Sequence, residues 1–140
     1  FDKELVLEAV RQRPENLRAA AEELRSDQNF MLRVVKLHPA ALQHATEELR
    51  SDHQLVLEAV RRNWRSLKFA AVELRADRSF MLKAVQLDAL TLSLAGEELR
   101  NDPELVCEAL EREWEMLEYV SADLRSNRSF IMEAVSIEGL

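Results

Sequence analysis

Residues 22–27 read EELRSD, and residues 47–52 repeat the six letters without change. A near copy, EELRND, occupies residues 97–102, so the phrase returns at a spacing of 25 or a multiple of it. A fixed internal period of this length is the mark of tandem structural repeats. Starting each unit at its Asp divides the chain into 2–26, 27–51, 52–76, 77–101 and 102–126, followed by a partial sixth unit, 127–140. No insertion or deletion interrupts the series.

The first half of a unit holds Leu5, Val6, Leu7, Ala9 and Val10, echoed by Leu55, Val56, Leu57, Ala59 and Val60. Apolar residues at i, i+1, i+4 and i+5 form a wide helical stripe and do not alternate as a strand would. The second half carries Leu17, Ala20 and Leu24, then Leu42, Ala45 and Leu49, a narrower stripe that predicts a second helix with one solvent face. Pro14 and Pro39 suit its first position, where a missing N–H costs nothing. EELRSD then reads as punctuation. Its Leu is the last core contact of one helix, its Arg faces the negative end of the dipole, and its Asp caps the next helix.

Each unit is therefore expected to be two helices of about ten residues, too short to stand alone in water. They must stack on their neighbours, which predicts an all-α fold, an α-solenoid of tandem 25-residue helix pairs forming one repeat domain over 1–140. A second period of 50 overlies the first, because LVLEAV alternates with FMLRVV and FMLKAV. The even units also end their first helix on an apolar residue, Leu37, Leu87 or Ile137.

Composition agrees with a helical domain. Of 140 residues, 47% are hydrophobic and 32% charged, with two Gly and three Pro, too few for a fold of many short strands. No apolar run is long enough to cross a bilayer. One cysteine rules out an internal disulfide framework. A place inside the cell, cytosolic or organellar, is favoured over secretion. The chain opens on FDKELV without Met and stops after one helix of its sixth unit, so both ends are expected to be cuts from a longer array.

Residues 52–85, DHQLVLEAVRRNWRSLKFAAVELRADRSFMLKAV, resemble the helical-repeat family catalogued as domain of unknown function 4116. The similarity covers essentially the whole chain and is clearest where Phe69-Ala70 and Tyr119-Val120 fill an aromatic slot. The family often carries Gly at the turn between the helices, where this chain has Pro14, Pro39, Trp64, Ala89 and Trp114. The resemblance implies a tandem interaction repeat and adds no chemistry of its own.

A search for catalytic or metal-binding patterns gives bland answers. His38, His44 and His53 share one stretch, but no two stand at i, i+3 or i+4. No paired Cys or Gly-rich phosphate loop accompanies them. Cys107 takes the slot of Leu7, Leu32, Leu57 and Leu82, so it reads as a core residue. The Arg that closes each unit (Arg25, Arg50, Arg75, Arg100, Arg125) is expected to join a ladder with the neighbouring N-cap Asp or with a Glu of the adjacent unit. No catalytic residue, cofactor or metal ion is called for.

Charge is uneven within the total of −7: the third unit carries +2 and the fifth −6. The third holds RRNWRSLK and the fifth EREWEMLE, with Trp64 and Trp114 at the same place fifty residues apart. Trp and Arg are frequent anchors of interfaces. Arg61, Arg62, Trp64, Arg65, Lys68 and Trp114 are therefore candidate protein-binding residues. Phe130, Ile131, Val135 and Ile137 join them, on a last helix expected to need a cover.

The function this supports is a non-enzymatic scaffold, a structural subunit of a larger complex whose partners are other protein subunits. Peripheral association with a membrane complex is compatible with that. A regulatory or targeting module attached to an enzyme domain is the alternative. A nucleic-acid or acidic-surface binder acting through the third unit is disfavoured, since an acidic chain repels phosphates over most of its length.

Overall fold

The computed structural model describes residues 2–137, the side chain of Ile137 excepted. Among them there is no strand. Six ten-residue helices recur every 25 residues: α1 (Lys3–Gln12), α2 (Gln28–Leu37), α3 (His53–Arg62), α4 (Arg78–Leu87), α5 (Pro103–Arg112) and α6 (Arg128–Ile137). The all-α repeat fold read from the period is the fold observed. The chain divides into two compact bodies, Phe1–Ala71 and Val72–Leu140, so the boundary falls inside the third repeat.

Each long helix starts as its sequence dictates. The side chains of Asp27, Asp52 and Asp102 accept the backbone N–H groups of Phe30, Leu55 and Leu105 at 2.9–3.1 Å. Asn127 does the same for Phe130 at 3.0 Å. One helical N–H that would lack a partner is thereby satisfied in each repeat, worth about 1 kcal/mol apiece.

The second half of the repeat departs from the expected single helix. In the first repeat it is a six-residue 3-10 helix, Pro14–Ala19, followed by the four-residue α-helix Glu22–Arg25. Between them Ala20 and Ala21 are extended, at φ −71°, ψ 154° and φ −60°, ψ 147°. A stacking hydrogen bond supplies the reason for the break. The residue opening each short segment donates its N–H to the carbonyl of the Arg that closed the preceding repeat. These bonds run from Thr46 to Arg25 at 3.2 Å, Ala71 to Arg50 at 2.9 Å, Gly96 to Arg75 at 3.1 Å and Ser121 to Arg100 at 3.0 Å. An uninterrupted helix would turn that N–H inward and leave the previous repeat's last carbonyl open.

This bond explains the small residues at the break in the second to fourth repeats: Ala45-Thr46, Ala70-Ala71 and Ala95-Gly96. Two backbones approach there, and a Cβ placed on Gly96 would meet Ala76 at 3.7 Å. The turn before the 3-10 helix needs no glycine either. Arg13, His38, Asn63, Asp88 and Glu113 turn the chain in extended geometry, with φ between −138° and −159°.

In the first body α1 packs on α2 and α2 on α3, while Pro14–Ala19, Pro39–His44 and Trp64–Phe69 form a second row beside them. In the second body α4, α5 and α6 follow one another, with Ala89–Leu94 against Trp114–Tyr119. Leu17, Leu42 and Leu67 are fully buried in the first body, as are Phe80, Leu92 and Leu105 in the second. Each contributes about 1.5–3 kcal/mol of burial, which is what makes such short helices persist. The extra apolar residues of the even units, Leu37 and Leu87, stay exposed.

The Arg row behaves differently from the expected ladder. Among the described residues no ion pair joins Arg25 to Asp27, Arg50 to Asp52 or Arg100 to Asp102. Arg25 instead donates Nε–H to the Ala20 carbonyl at 3.2 Å, and Arg75 reaches the Leu94 carbonyl of the next repeat. The guanidinium follows its own backbone into the break, away from the N-cap. The N-cap Asp takes its partner from the first residue of the preceding long helix. Lys3 meets Asp27 at 2.7 Å, Gln28 meets Asp52 at 3.1 Å and Arg78 meets Asp102 at 2.6 Å. The Lys3 bond, ahead of the Phe30 N–H, holds the Asp27 carboxyl below its ordinary value. Burial raises Asp102, yet Arg78 and the Leu105 N–H more than offset it and its value is lowered too.

Candidate functional site

The basic segment of the third repeat lies wholly in the first body. Arg61 and Arg62 end α3, exposed, and both turn back to Glu58: Arg61 Nη1 at 3.0 Å and Arg62 Nε at 3.3 Å. The Glu58 side chain is only 13% exposed, so one shielded carboxylate serves two surface cations. Asn63 then turns the chain, its side chain accepting the Arg65 N–H at 3.0 Å. This cap places Trp64 at the head of the 3-10 helix Trp64–Phe69, where it is half-buried.

Arg65 lies over the Trp64 ring, its guanidinium 4.9 Å from the centroid, and Lys68 stands 5.1 Å from the Phe69 ring. Each such contact is worth about 0.5–1 kcal/mol at an exposed site. The segment therefore offers an aromatic face covered by a planar cation, with Arg61 and Arg62 three and two residues before that Trp in the chain. Arg and Trp held in this way present little flexible surface, so little ordering is lost when a partner meets them.

Trp114 occupies the matching place in the second body, half-buried at the head of Trp114–Tyr119. Its neighbours Glu113 and Glu115 are exposed carboxylates, and Arg112 pairs with Glu108 at 2.9 Å. The hydrogen bond to Glu118 and its charge push the Tyr119 phenol up. Trp64 and Trp114 thus share a slot while their surroundings carry opposite charge.

The candidates on α6 are not one exposed stripe. Phe130 is buried, because its slot, like that of Phe30, faces the preceding repeat. Ile131 and Val135 are half-buried, and the side chain of Ile137 lies outside the described residues. The residue that stands out is Met132, 63% exposed, which reading the sequence did not single out. Its slot holds Cys107 one repeat earlier, and that slot faces the following repeat. Burial, then Glu133 and Glu111, raise the Cys107 thiol, so it holds its proton.

The remaining features give no chemistry. Among the described residues no group of three His, Cys, Asp or Glu is placed to hold a metal ion, and no helix is long and apolar enough to cross a membrane. A groove beside Tyr119 mixes Arg100 and Arg125 with Glu97, Glu118 and Asp123, so neither sign of charge prevails.

His44 carries a pH dependence. Burial, then Arg18 and Arg25, lower its pKa below the ordinary histidine value of about 6.5. The unfolded chain thus binds more protons than the folded one below that value, and stability falls as pH drops from 6.5 toward the folded pKa. Urea midpoints at pH 7.5 and 5.5 should show the acid loss in the wild type and a smaller loss in His44→Gln. The difference should stay below about 1 kcal/mol, since solvent screens a half-exposed ring.

No curated protein and no solved structure matches the chain. One family profile matches it four times, over residues 2–39, 27–75, 77–125 and 104–140. The two longest matches begin fifty residues apart, so the family's own unit is a pair of the 25-residue repeats. Since these matches leave out only residues 1 and 76, the chain belongs to the family described as domain of unknown function DUF4116.

Proposed function

We propose that the chain is a non-enzymatic protein-binding scaffold, a subunit of a larger assembly, and that the Trp64 segment meets an acidic surface of its partner. The observation that carries this reading is the stacked pair of Arg65 on half-buried Trp64, with Arg61 and Arg62 beside it. The core and cap positions recur in every repeat, as packing demands. The outer slot at the head of the 3-10 helix does not recur: it reads Pro14, Pro39, Trp64, Ala89 and Trp114. Variation over a constant scaffold is how repeat proteins specify partners. Pairing of two cations with Glu58 favours a shaped protein contact over the loose counter-charge that a phosphate backbone needs.

The test is native isolation of the tagged chain, with mass spectrometry of whatever migrates with it. Proteins recovered at fixed stoichiometry with the wild type, and lost or weakened at least about 30-fold with Trp64→Ala or Arg65→Glu, support the proposal. Migration alone near 16.2 kDa overturns it. Recovery indifferent to both substitutions removes the Trp64 segment from the interface.

A further inference from the structure

The basic and acidic segments are the same piece of scaffold with its charges reversed. Arg61, Arg65 and Lys68 of the third repeat are exposed, and their counterparts fifty residues on, Glu111, Glu115 and Glu118, are exposed as well. No other complete repeat carries one sign at all three slots. The first repeat mixes signs with Arg11, Glu15 and Arg18, the second has one charge at Lys36, and the fourth, with Gln86, Leu90 and Ser93, has none. The local backbone is alike in both places. α3 and α5 are each followed by one extended residue, Asn63 at φ −159°, ψ 111° and Glu113 at φ −142°, ψ 101°. A six-residue 3-10 helix then opens on a half-buried Trp.

The openness of these slots belongs to the repeat itself. The third repeat is flanked by a repeat on either side, and its three cations are exposed all the same. Stacking of neighbours therefore leaves these positions to solvent. Glu58 takes up Arg61, and Glu118 accepts a hydrogen bond from Tyr119. Among the described residues no ion pair engages Arg65, Lys68, Glu111, Glu113 or Glu115.

We propose that the acidic surface met by the Trp64 segment is the Trp114 segment of a second copy of this chain. Trp64, with Arg65 stacked on it, then lies against Trp114, and three cations face three carboxylates. An aromatic centre inside a charged rim is the usual anatomy of a protein interface. Charge also excludes the alternatives. Trp64 against Trp64 would crowd cations together, and Trp114 against Trp114 would crowd carboxylates. Each copy carries a net charge of −7, so this local match works against a general repulsion between copies. The proposal rests on the reading of the Trp64 segment given above and names the partner that segment takes.

Sedimentation velocity of the whole chain from about 1 µM to about 1 mM in dilute salt covers the range in which a small, charged interface binds. The expected result is a mean mass that rises from 16.2 kDa toward or beyond twice that value as concentration increases. Raising NaCl from about 0.05 M to about 0.5 M should weaken association at least about tenfold. R61E, R65E and K68E together make both segments acidic, and E111K, E115K and E118K together make both basic. Each triple variant should stay a single chain with helical circular dichroism unchanged, since all six side chains are exposed. An equimolar mixture of the two variants should regain the higher mass. A single-chain mass of the wild type at every concentration overturns the proposal. So does association that strengthens with salt, association that survives either triple variant, or a mixture that does not associate. A single-chain mass, while native isolation captures a different protein that is lost with Arg65→Glu, overturns this proposal and leaves the Trp64 docking reading standing. A single-chain mass with capture indifferent to Arg65→Glu overturns both.

Discussion

Phe30→Ala is expected to lower the stability of the chain by about 3–5 kcal/mol, while Leu5→Ala, in the same slot one repeat earlier, changes it by less than about 0.5 kcal/mol. Phe30 is 2% exposed, packed where α1 and α2 meet, and its loss leaves a cavity that its neighbours cannot close without moving backbone. Leu5 stands in water. A solenoid's stability is a sum of repeat terms and neighbour terms, so the two substitutions separate the slot from the neighbour. Urea unfolding reads both. Equal losses would mean that the slot matters for its own helix, and that stacking contributes little.

The contrast also shows what could be read from letters alone. Leu5, Phe30, Leu55 and Leu105 align without a gap, and their helical spacing makes each a core candidate. Their burial depends on what lies one repeat away, which no local pattern records. Caps were legible because an N-cap bond spans three residues, as from Asp52 to the Leu55 N–H. The break at Ala45-Thr46 was hidden because the bond that stabilises it joins residues 21 positions apart, from Thr46 to Arg25. Leu17, Ala20 and Leu24 fit a helical stripe equally well, and an Ala names no hydrogen-bond partner. The Arg row was assigned to the N-cap Asp for a similar reason. Arg25 and Asp27 are two residues apart in sequence, yet Lys3, 24 residues away, holds that carboxylate.

The candidate site was legible in part. The spacing of Trp64 and Trp114 and the charge contrast around them come directly from the sequence. The stacking of Arg65 on Trp64 does not, because it depends on Asn63 capping the 3-10 turn so that neighbouring side chains fold over one another. Phe130 was counted as exposed because its helix is the last, although the face it uses looks back into the stack. Direction along the array decides which residues of a helix the preceding repeat buries, and Met132, which is exposed, is not one of them.

Direction also governs what a proline does at the break. Thr46→Pro should destabilise the chain by about 2–3 kcal/mol, whereas Ala21→Pro, the equivalent change one repeat earlier, should be neutral or stabilise it by up to about 1 kcal/mol. The backbone admits proline at both places. Thr46 lies at φ −64° and Ala21 at φ −60°, each after an extended alanine, as proline requires of its predecessor. The unfolded chain is stiffened equally by either change. What differs is the N–H. At Thr46 it bonds the Arg25 carbonyl at 3.2 Å, so proline removes the donor and presses its ring toward the acceptor. Among the described residues no carbonyl takes the Ala21 N–H in that way. The Thr46 hydroxyl is buried with no partner among the described residues, so Thr46→Ala should leave stability within about 0.5 kcal/mol and is the proper reference. Equal stability of Thr46→Pro and Thr46→Ala would mean that the backbone bond between repeats adds nothing, leaving side-chain packing alone to hold the stack. A clear gap between them, absent at Ala21, would assign the broken second helix its purpose: it frees one N–H per repeat to bind the repeat before it.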